Sequence, residues 1–195
     1  MRVADTESSY SPISRTLHWV IAVLALFLFG LGLYMRDLGY YDPNYQRLPA
    51  LHKSIGLGLM LVFVLRLAWR LIVRGPRPLA SLSAWERVGA TWMHLLLLWL
   101  LAGLLASGYL LATGDGRPAS AFGIDVLPAI FSLSTSAQAW AGQVHLAVAY
   151  ALVGCTGLHA IAAFKHHLVD GDVTLKRMTW NPPHPDQSPP EESKP

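Results

Sequence analysis

Four long apolar runs dominate the pattern of hydrophobic and polar positions along the chain. They cover about residues 17–35, 51–73, 88–112 and 140–164. A transmembrane helix needs roughly 20 apolar residues to cross about 30 Å of hydrocarbon. The pattern therefore predicts an all-α fold, an integral membrane four-helix bundle.

Polar connections rich in Gly and Pro separate the runs and predict where the helices end. The longest connection, residues 113–139, contains an apolar piece over residues 126–131, which we expect to lie on the membrane surface. Beyond residue 178 the chain is polar and Pro-rich, a composition typical of disorder. The prediction is one membrane domain over residues 1–178, followed by a disordered tail over residues 179–195.

A cleaved signal peptide is an alternative interpretation of the first run. The run is longer than the apolar core of about 7–15 residues found in signal peptides. No Ala-x-Ala motif follows it, and Tyr34-Met35-Arg36 ends it abruptly. We therefore interpret the run as a retained span.

Composition and charge agree with a membrane protein and indicate its orientation. Hydrophobic residues make up 53% of the chain and charged residues 14%. The basic residues flank the apolar runs and form no cluster, so the formal net charge of +3 does not indicate nucleic-acid binding. Most lie on the side of the two termini, and the positive-inside rule then predicts that both termini are cytoplasmic. The opposite side holds Arg36, Arg47, Lys53 and Arg117.

Cysteine usage limits the kinds of metal site that the chain can form. It has one cysteine, Cys155, and no CxxCH motif. An internal disulfide, a cysteine-ligated iron–sulfur or zinc site and covalently attached c-type haem are therefore excluded. Metal chemistry in this sequence must rest on histidine.

Histidines are concentrated in the predicted spans, where ionisable groups are costly and usually functional. His145 and His159 are 14 residues apart on one helix, so they share a face and lie about 21 Å apart along the axis. One helix therefore offers two ligands at two depths. The five histidines in or at the ends of spans are His18, His52, His94, His145 and His159.

The antiparallel order of the spans predicts two cross-helix histidine pairs. His18 should lie level with His159, and His52 level with His145. Two imidazoles from neighbouring helices can ligate a haem iron from both sides, which suits electron transfer because no axial position is left for oxygen. The prediction is two haem b groups, one held by each pair.

Two arginines are candidates for binding haem propionates. Arg66 follows His52 by 14 residues, so it faces the same side at the depth of the His18–His159 pair. Arg70 lies one turn further and could share this role, because a guanidinium binds carboxylates well. The alternative for both is that they snorkel to the headgroups.

Three other histidines have open roles. His94 could hydrogen-bond a propionate, carry a proton near a quinone, or form an interhelical hydrogen bond. His166 and His167 follow the fourth run, where a cationic ring suits the end of a helix and the headgroups, with a quinone or proton-entry role as the alternative.

These residues resemble the bacterial cytochrome b561 family, four-helix di-haem cytochromes of the bacterial inner membrane related to the cytochrome b subunits of nickel–iron hydrogenases. The resemblance covers residues 11–178. It rests on Ser14-Arg15-Thr16-Leu17-His18-Trp19, Leu51-His52-Lys53-Ser54-Ile55-Gly56, Arg66-Leu67-Ala68-Trp69-Arg70, Gly108-Tyr109, Gly116-Arg117-Pro118, Val144-His145-Leu146-Ala147, Gly157-Leu158-His159-Ala160 and Lys165-His166-His167.

The resemblance implies two b haems with axial ligands His18, His52, His145 and His159. It also implies electron exchange with membrane quinone, with ubiquinone as the expected substrate. Some members are implicated in oxidising superoxide at the outer face, and others serve a dehydrogenase or a periplasmic carrier. If this chain is a superoxide:quinone oxidoreductase, Lys53 could steer the anion toward the site, with snorkelling as the alternative.

Two functions from other classes compete with electron transfer. Histidine and arginine within spans also mark proton or anion transporters, but no inverted repeat or broken helix appears in the sequence. A structural anchor for a soluble partner would not need polar groups inside the membrane. Electron transfer is the only one of the three that explains both 14-residue spacings.

Overall fold

A computed structural model describes residues 4–79 and 81–179 of the chain. Four long helices make up most of this part, and each is long and apolar enough to cross a membrane. This confirms the predicted all-α membrane bundle. Apart from residue 179, the predicted tail lies outside the described residues. The helices are α1 (Pro12–Arg36), α2 (Arg47–Ile72), α3 (Ala84–Thr113) and α4 (Thr135–Leu168).

Three of the four helices begin at a serine that the apolar pattern does not include. The side chains of Ser11, Ser83 and Ser134 each accept a hydrogen bond from a backbone N–H in the first turn of the helix that follows. At Ser83 the carboxylate of Glu86 completes a capping box. These polar caps start α1, α3 and α4 four or five residues before the apolar runs.

The outer surfaces of the helices are apolar, as expected of surfaces that face lipid. Large side chains such as Val23, Leu26 and Phe27 on α1 are about half exposed or more. Helices that are hydrophobic on all sides are typical of membrane spans. The interior contains a small core of Leu28, Leu59, Phe63, Leu101, Leu105 and Leu152.

Helix packing divides the bundle into two pairs. α1 packs most extensively on α2, and α3 on α4, whereas the contacts between the two pairs are fewer. Each pair consists of neighbours along the chain, and α3 packs closely on α4 although the connection between them is the longest of the three. The looser contact between the pairs leaves space in the middle of the bundle.

A small β-hairpin in the connection between α3 and α4 was not predicted. Its strands are β1 (Ala119–Ala121) and β2 (Ile124–Leu127), which pair antiparallel. The turn has positive φ at both Phe122 and Gly123, and a phenylalanine there is unusual, so it carries no turn signal. The Phe122 N–H donates to Ser54 Oγ on α2 at 2.9 Å, which fixes the hairpin on the bundle. Contact of residues 126–131 with the membrane surface stays a prediction.

The described residues near both chain termini meet at one end of the bundle, which we call the terminal end. A fifth helix, α5 (Thr174–Met178), lies there. Trp19 Nε1 donates to the carbonyl of Met178 at 2.7 Å, and Arg15 donates to the carbonyl of Thr179. Arg177 donates to the Arg77 carbonyl at 2.8 Å, so the α2–α3 connection joins the same end. The hairpin and the α1–α2 connection occupy the opposite end, which we call the far end.

Candidate functional site

A cavity of about 410 Å³ lies between the two helix pairs toward the far end. All four long helices line it, mostly with apolar side chains. Its few polar side chains include His52, His145, Lys53 and Arg36. Cofactor sites are typically mostly apolar cavities of about 300–1,000 Å³ with a few convergent polar groups. This cavity has both properties.

The cavity brings together His52 and His145, one from each helix pair. Their ring centroids are 6.4 Å apart, with an interplanar angle of 72°. Bonds between imidazole nitrogen and a metal are about 2 Å long, so two rings that share one ion lie roughly 6 Å apart. The spacing of these rings therefore fits a single ion held between them.

Glycines allow the two imidazoles to pack against neighbouring helices. A Cβ at Gly32 on α1 would lie 3.3 Å from His52 Cε1, and a Cβ at Gly108 on α3 would lie 3.2 Å from His145 Cε1. Both distances are shorter than ordinary van der Waals contact. A Cβ at either position would require the ring to shift by a few tenths of an ångström. Close approach, rather than flexibility, is the reason for glycine at these two positions.

The hydrogen bonding of the two rings differs. His145 Nδ1 lies 3.0 Å from Ser107 Oγ. His52 Nδ1 is buried and has no hydrogen-bond partner among the residues that the structure describes. A buried polar atom without a partner is costly, so the described residues leave one hydrogen-bonding position of the His52 ring unused.

A second histidine cluster lies toward the terminal end, and it has three members. The rings of His94 on α3 and His159 on α4 are 5.2 Å apart with an interplanar angle of 68°. His18 on α1 has both of these rings among its electrostatic neighbours. The sequence predicted His18 beside His159, and the structure adds His94, which the tight α3–α4 packing brings there.

Arg66 and Arg70 are both electrostatic neighbours of His94 in this cluster, and Arg70 is the more exposed of the two. The Arg66 guanidinium donates to the Ser14 carbonyl on α1 at 3.4 Å, and it is an electrostatic neighbour of His18. Trp69, one turn from Arg66, donates to Ser14 Oγ at 2.9 Å and ties α2 to α1 at this point. Within the described part of the chain, neither arginine has a carboxylate at ion-pairing distance.

Lys53 is exposed at the mouth of the central cavity. It also lines a wider, more open cavity of about 700 Å³ at the far end, together with Arg36, Tyr45 and Gln46. Neither Lys53 nor Arg36 forms an ion pair with an acidic residue in the part of the chain that the structure describes. Arg36 was interpreted from the sequence only as a topology signal, and its place beside Lys53 depends on the α1–α2 packing.

A third polar cluster joins the start of α3 to the end of α4. Nitrogen and oxygen atoms of Glu86, His166 and Asp170 lie within 4.8 Å of one another, close enough to hold a metal ion. The Lys165 ammonium already donates to Glu86 at 2.9 Å and to Asp170 at 2.7 Å. The hydrogen bond from Lys165 lowers the pKa of Asp170 from its usual value. We interpret the cluster as an ion-pair network between helix ends rather than a metal site.

Comparison with known proteins relates this chain to b-type cytochromes and to a probable superoxide oxidase. The sequence matches the family described as prokaryotic cytochrome b561 over residues 9–181. It is 42% identical over 178 residues to cytochrome b561 homolog 2 of Escherichia coli (strain K12), covering 91% of this chain and 95% of that protein. Cytochrome b562 of Cereibacter sphaeroides is 29% identical over 88% of this chain and 96% of its own. A probable superoxide oxidase, CybB of Yersinia pestis, is 28% identical over 87% and 94%.

Proposed function

Since the chain belongs to the prokaryotic cytochrome b561 family, we propose that it carries electrons across a bacterial membrane through two haem b groups and exchanges them with membrane quinone. Family membership implies binding of b-type haem. The observation that carries the di-haem proposal is the central cavity, where His52 and His145 face each other at 6.4 Å. The second histidine cluster at the other end of α4 provides the second site.

Each of the two sites takes one histidine from the α1–α2 pair and one from the α3–α4 pair. His52 and His145 would hold the far-end haem, and His18 and His159 the terminal-end haem. Haem, when bound, would supply reversible one-electron chemistry, and bis-histidine ligation leaves no axial position for oxygen. Arg66 is placed to bind a propionate of the terminal-end haem, and Arg70 is placed to assist it from one turn away.

The chain itself determines how far apart the two sites are. Fourteen residues of α4 separate His145 from His159, a rise of about 21 Å, so the sites lie at different depths of the membrane. Mostly apolar side chains line the cavity that holds His52 and His145. This arrangement suits electron transfer from one side of the membrane to the other.

Orientation follows from the distribution of basic residues. The terminal end carries Arg15, Arg77, Lys165 and Arg177, among others, and the far end has fewer cations. The positive-inside rule places the terminal end in the cytoplasm. The site of His52 and His145 then opens toward the outer face of the bacterial inner membrane, and electrons from outside enter there.

Superoxide is the electron donor that the far end suits best. Lys53 and Arg36 provide two exposed cations without ion-pair partners among the described residues, at the mouth of the central cavity. A relative 28% identical to this chain is named a probable superoxide oxidase. In this proposal ubiquinone accepts the electrons. The second candidate, a cytochrome b subunit of a dehydrogenase or a carrier in the periplasm, would require a protein partner at the same face.

The proposal is tested by purifying the protein in detergent and recording oxidised and reduced spectra with a haem-to-protein ratio. Two bis-histidine b haems per chain are expected. Reconstitution into liposomes with ubiquinone should then give quinone reduction when superoxide is generated outside. Reduction of the haems only by an added dehydrogenase or carrier would favour the subunit role, and a colourless protein would favour a proton or anion transporter.

We expect Lys53→Ala to slow haem reduction by superoxide without changing the haem content. A unit charge about 4 Å from an anion in water is worth about 1 kcal/mol, so the rate constant should fall by up to about fivefold at low salt. The difference should shrink as ionic strength rises. Arg47→Ala is the matched control, since Arg47 is an exposed cation at the same end of α2 that lines neither cavity. Equal rates of haem reduction by superoxide in the wild type, Lys53→Ala and Arg47→Ala would contradict steering by Lys53.

Gly108→Val should displace the His145 ring and weaken haem binding at the far-end site. The new side chain would start from a Cβ only 3.2 Å from His145 Cε1. Gly103→Val on the same helix is the control, because a Cβ there meets no atom within 4 Å. The measurement is the haem-to-protein ratio after purification. Retention of two haems in Gly108→Val would show that the ring does not depend on this close contact.

A further inference from the structure

Ser107 lies on α3 directly before Gly108, and both residues contact the imidazole of His145 on α4. Ser107 is 6% exposed. Its Oγ lies 3.0 Å from the carbonyl oxygen of Leu104, one turn earlier on α3, and 3.0 Å from His145 Nδ1 on α4. A serine hydroxyl has one proton to donate, and its oxygen can accept others. The two contacts of Ser107 therefore need not compete.

The neighbours of this hydroxyl determine the direction of each hydrogen bond. A carbonyl oxygen can only accept, so the Ser107 proton goes to Leu104. Ser107 Oγ is then an acceptor, and the proton between it and the ring belongs to His145 Nδ1. This contact places the proton on Nδ1.

A neutral imidazole with its proton on Nδ1 has its free lone pair on Nε2. His52, the residue across the cavity, has no such support, because its Nδ1 lacks a hydrogen-bond partner among the described residues. The two histidines at 6.4 Å are therefore chemically unequal. One ring is fixed in tautomer and orientation by α3, and the other packs against Gly32 without a hydrogen bond at Nδ1 among the described residues.

We propose that Ser107 is the positioning residue of the far-end haem site, which leaves Nε2 of His145 free to bind haem and would make His145 the stronger electron donor of the two histidines. This inference rests on the proposed function. A metal-ligating histidine usually donates its other ring N–H to an acceptor, which raises the basicity of the ligating nitrogen. More donation stabilises ferric iron, so Ser107 lowers the reduction potential of this haem.

The test uses the purified full-length protein with three substitutions. Ser107→Ala removes the acceptor, and Ser107→Thr keeps the hydroxyl. Ser54→Ala is the matched control, since Ser54 is 5% exposed on α2 and bonds the Ala50 carbonyl and the Phe122 N–H, and within the described part of the chain it has no hydrogen bond to a histidine. Optical redox titration gives the two haem potentials separately, and low-temperature electron paramagnetic resonance of the oxidised protein reports the axial ligand field of each haem.

In Ser107→Ala, we expect one haem potential to rise and its resonance to change, while the other haem keeps both values. The affinity of the Ser107→Ala variant for haem at the far-end site should fall by about 10-fold or more. Ser107→Thr should restore the wild-type values, and Ser54→Ala should leave both potentials unchanged.

Unchanged potentials and resonances in Ser107→Ala, in a protein whose wild type holds two haems, would overturn the positioning role and leave the proposed function intact. Equal potential shifts in Ser107→Ala and Ser54→Ala would also overturn it, because they would indicate a general effect of losing a buried hydroxyl. A wild-type protein without haem at the far end would instead overturn the proposed function, and this inference with it.

Discussion

His145→Ala is expected to remove one of the two haems and halve the haem-to-protein ratio. The imidazole is one of two axial ligands in the proposed far-end site, and no other histidine in the described residues lies in that cavity beside His52. The remaining contacts would be apolar packing and one axial bond, so the haem should be lost during purification. His52→Ala should give the same result, because each ligand is needed by the same iron.

The matched control is His166→Ala, which removes an imidazole from the same helix. His166 pairs with Asp170 at 2.8 Å and has no proposed ligand role, so its variant should keep both haems. The haem ratio and the reduced spectrum measure the outcome for each protein. Two haems retained in both His145→Ala and His52→Ala would show that the central cavity is not a haem site.

His18→Ala should remove the other haem, whereas His94→Ala should keep both. Three histidines meet at the terminal end, so the two variants decide which of them ligates. Two rings that share one ion lie roughly 6 Å apart, but the rings of His94 and His159 are 5.2 Å apart in an edge-to-face arrangement. This spacing is too short for an iron between them, so His18 is the expected partner of His159.

The comparison of these variants is made on haem content and on the resonance of the remaining haem. His94→Ala is expected to shift the spectrum of the terminal-end haem slightly, since His94 contacts the ring of a ligand. Loss of a haem in His94→Ala together with full retention in His18→Ala would reverse the assignment. The double variant His18→Ala/His145→Ala should be colourless, because the two sites are about 21 Å apart and independent.

The number and the approximate positions of the transmembrane helices could be predicted because each helix is marked by an apolar run within its own segment. Each apolar run is continuous over about 20 residues, and a run of that length needs no knowledge of its neighbours to be recognised as a span. The resemblance to cytochrome b561 was carried by short motifs and is confirmed by the family match over residues 9–181. The hairpin with its turn at Phe122–Gly123 was not predicted, because phenylalanine has no preference for the positive φ that this turn requires.

The proposed ligands could be predicted because helix geometry is regular. The 14-residue spacing places His145 and His159 on one face of α4 whatever surrounds that helix. The depths of His18 and His52 followed from the antiparallel order of the spans. These predictions required only the rise and the period of one helix, together with the direction in which each helix crosses the membrane.

Contacts between helices depend on how each helix is rotated about its axis, and only the tertiary structure determines that rotation. The sequence left the role of His94 open, gave no signal for Ser107 and treated Arg36 as a topology marker. Packing of α3 on α4 brings His94 to His159 and Ser107 to His145. Packing between two helices depends on the side chains of both segments, so the periodicity of one segment does not predict which residues of the other helix it contacts. The sequence by itself thus determined the spans and the depth of each histidine, and tertiary packing decided the neighbours of each ring.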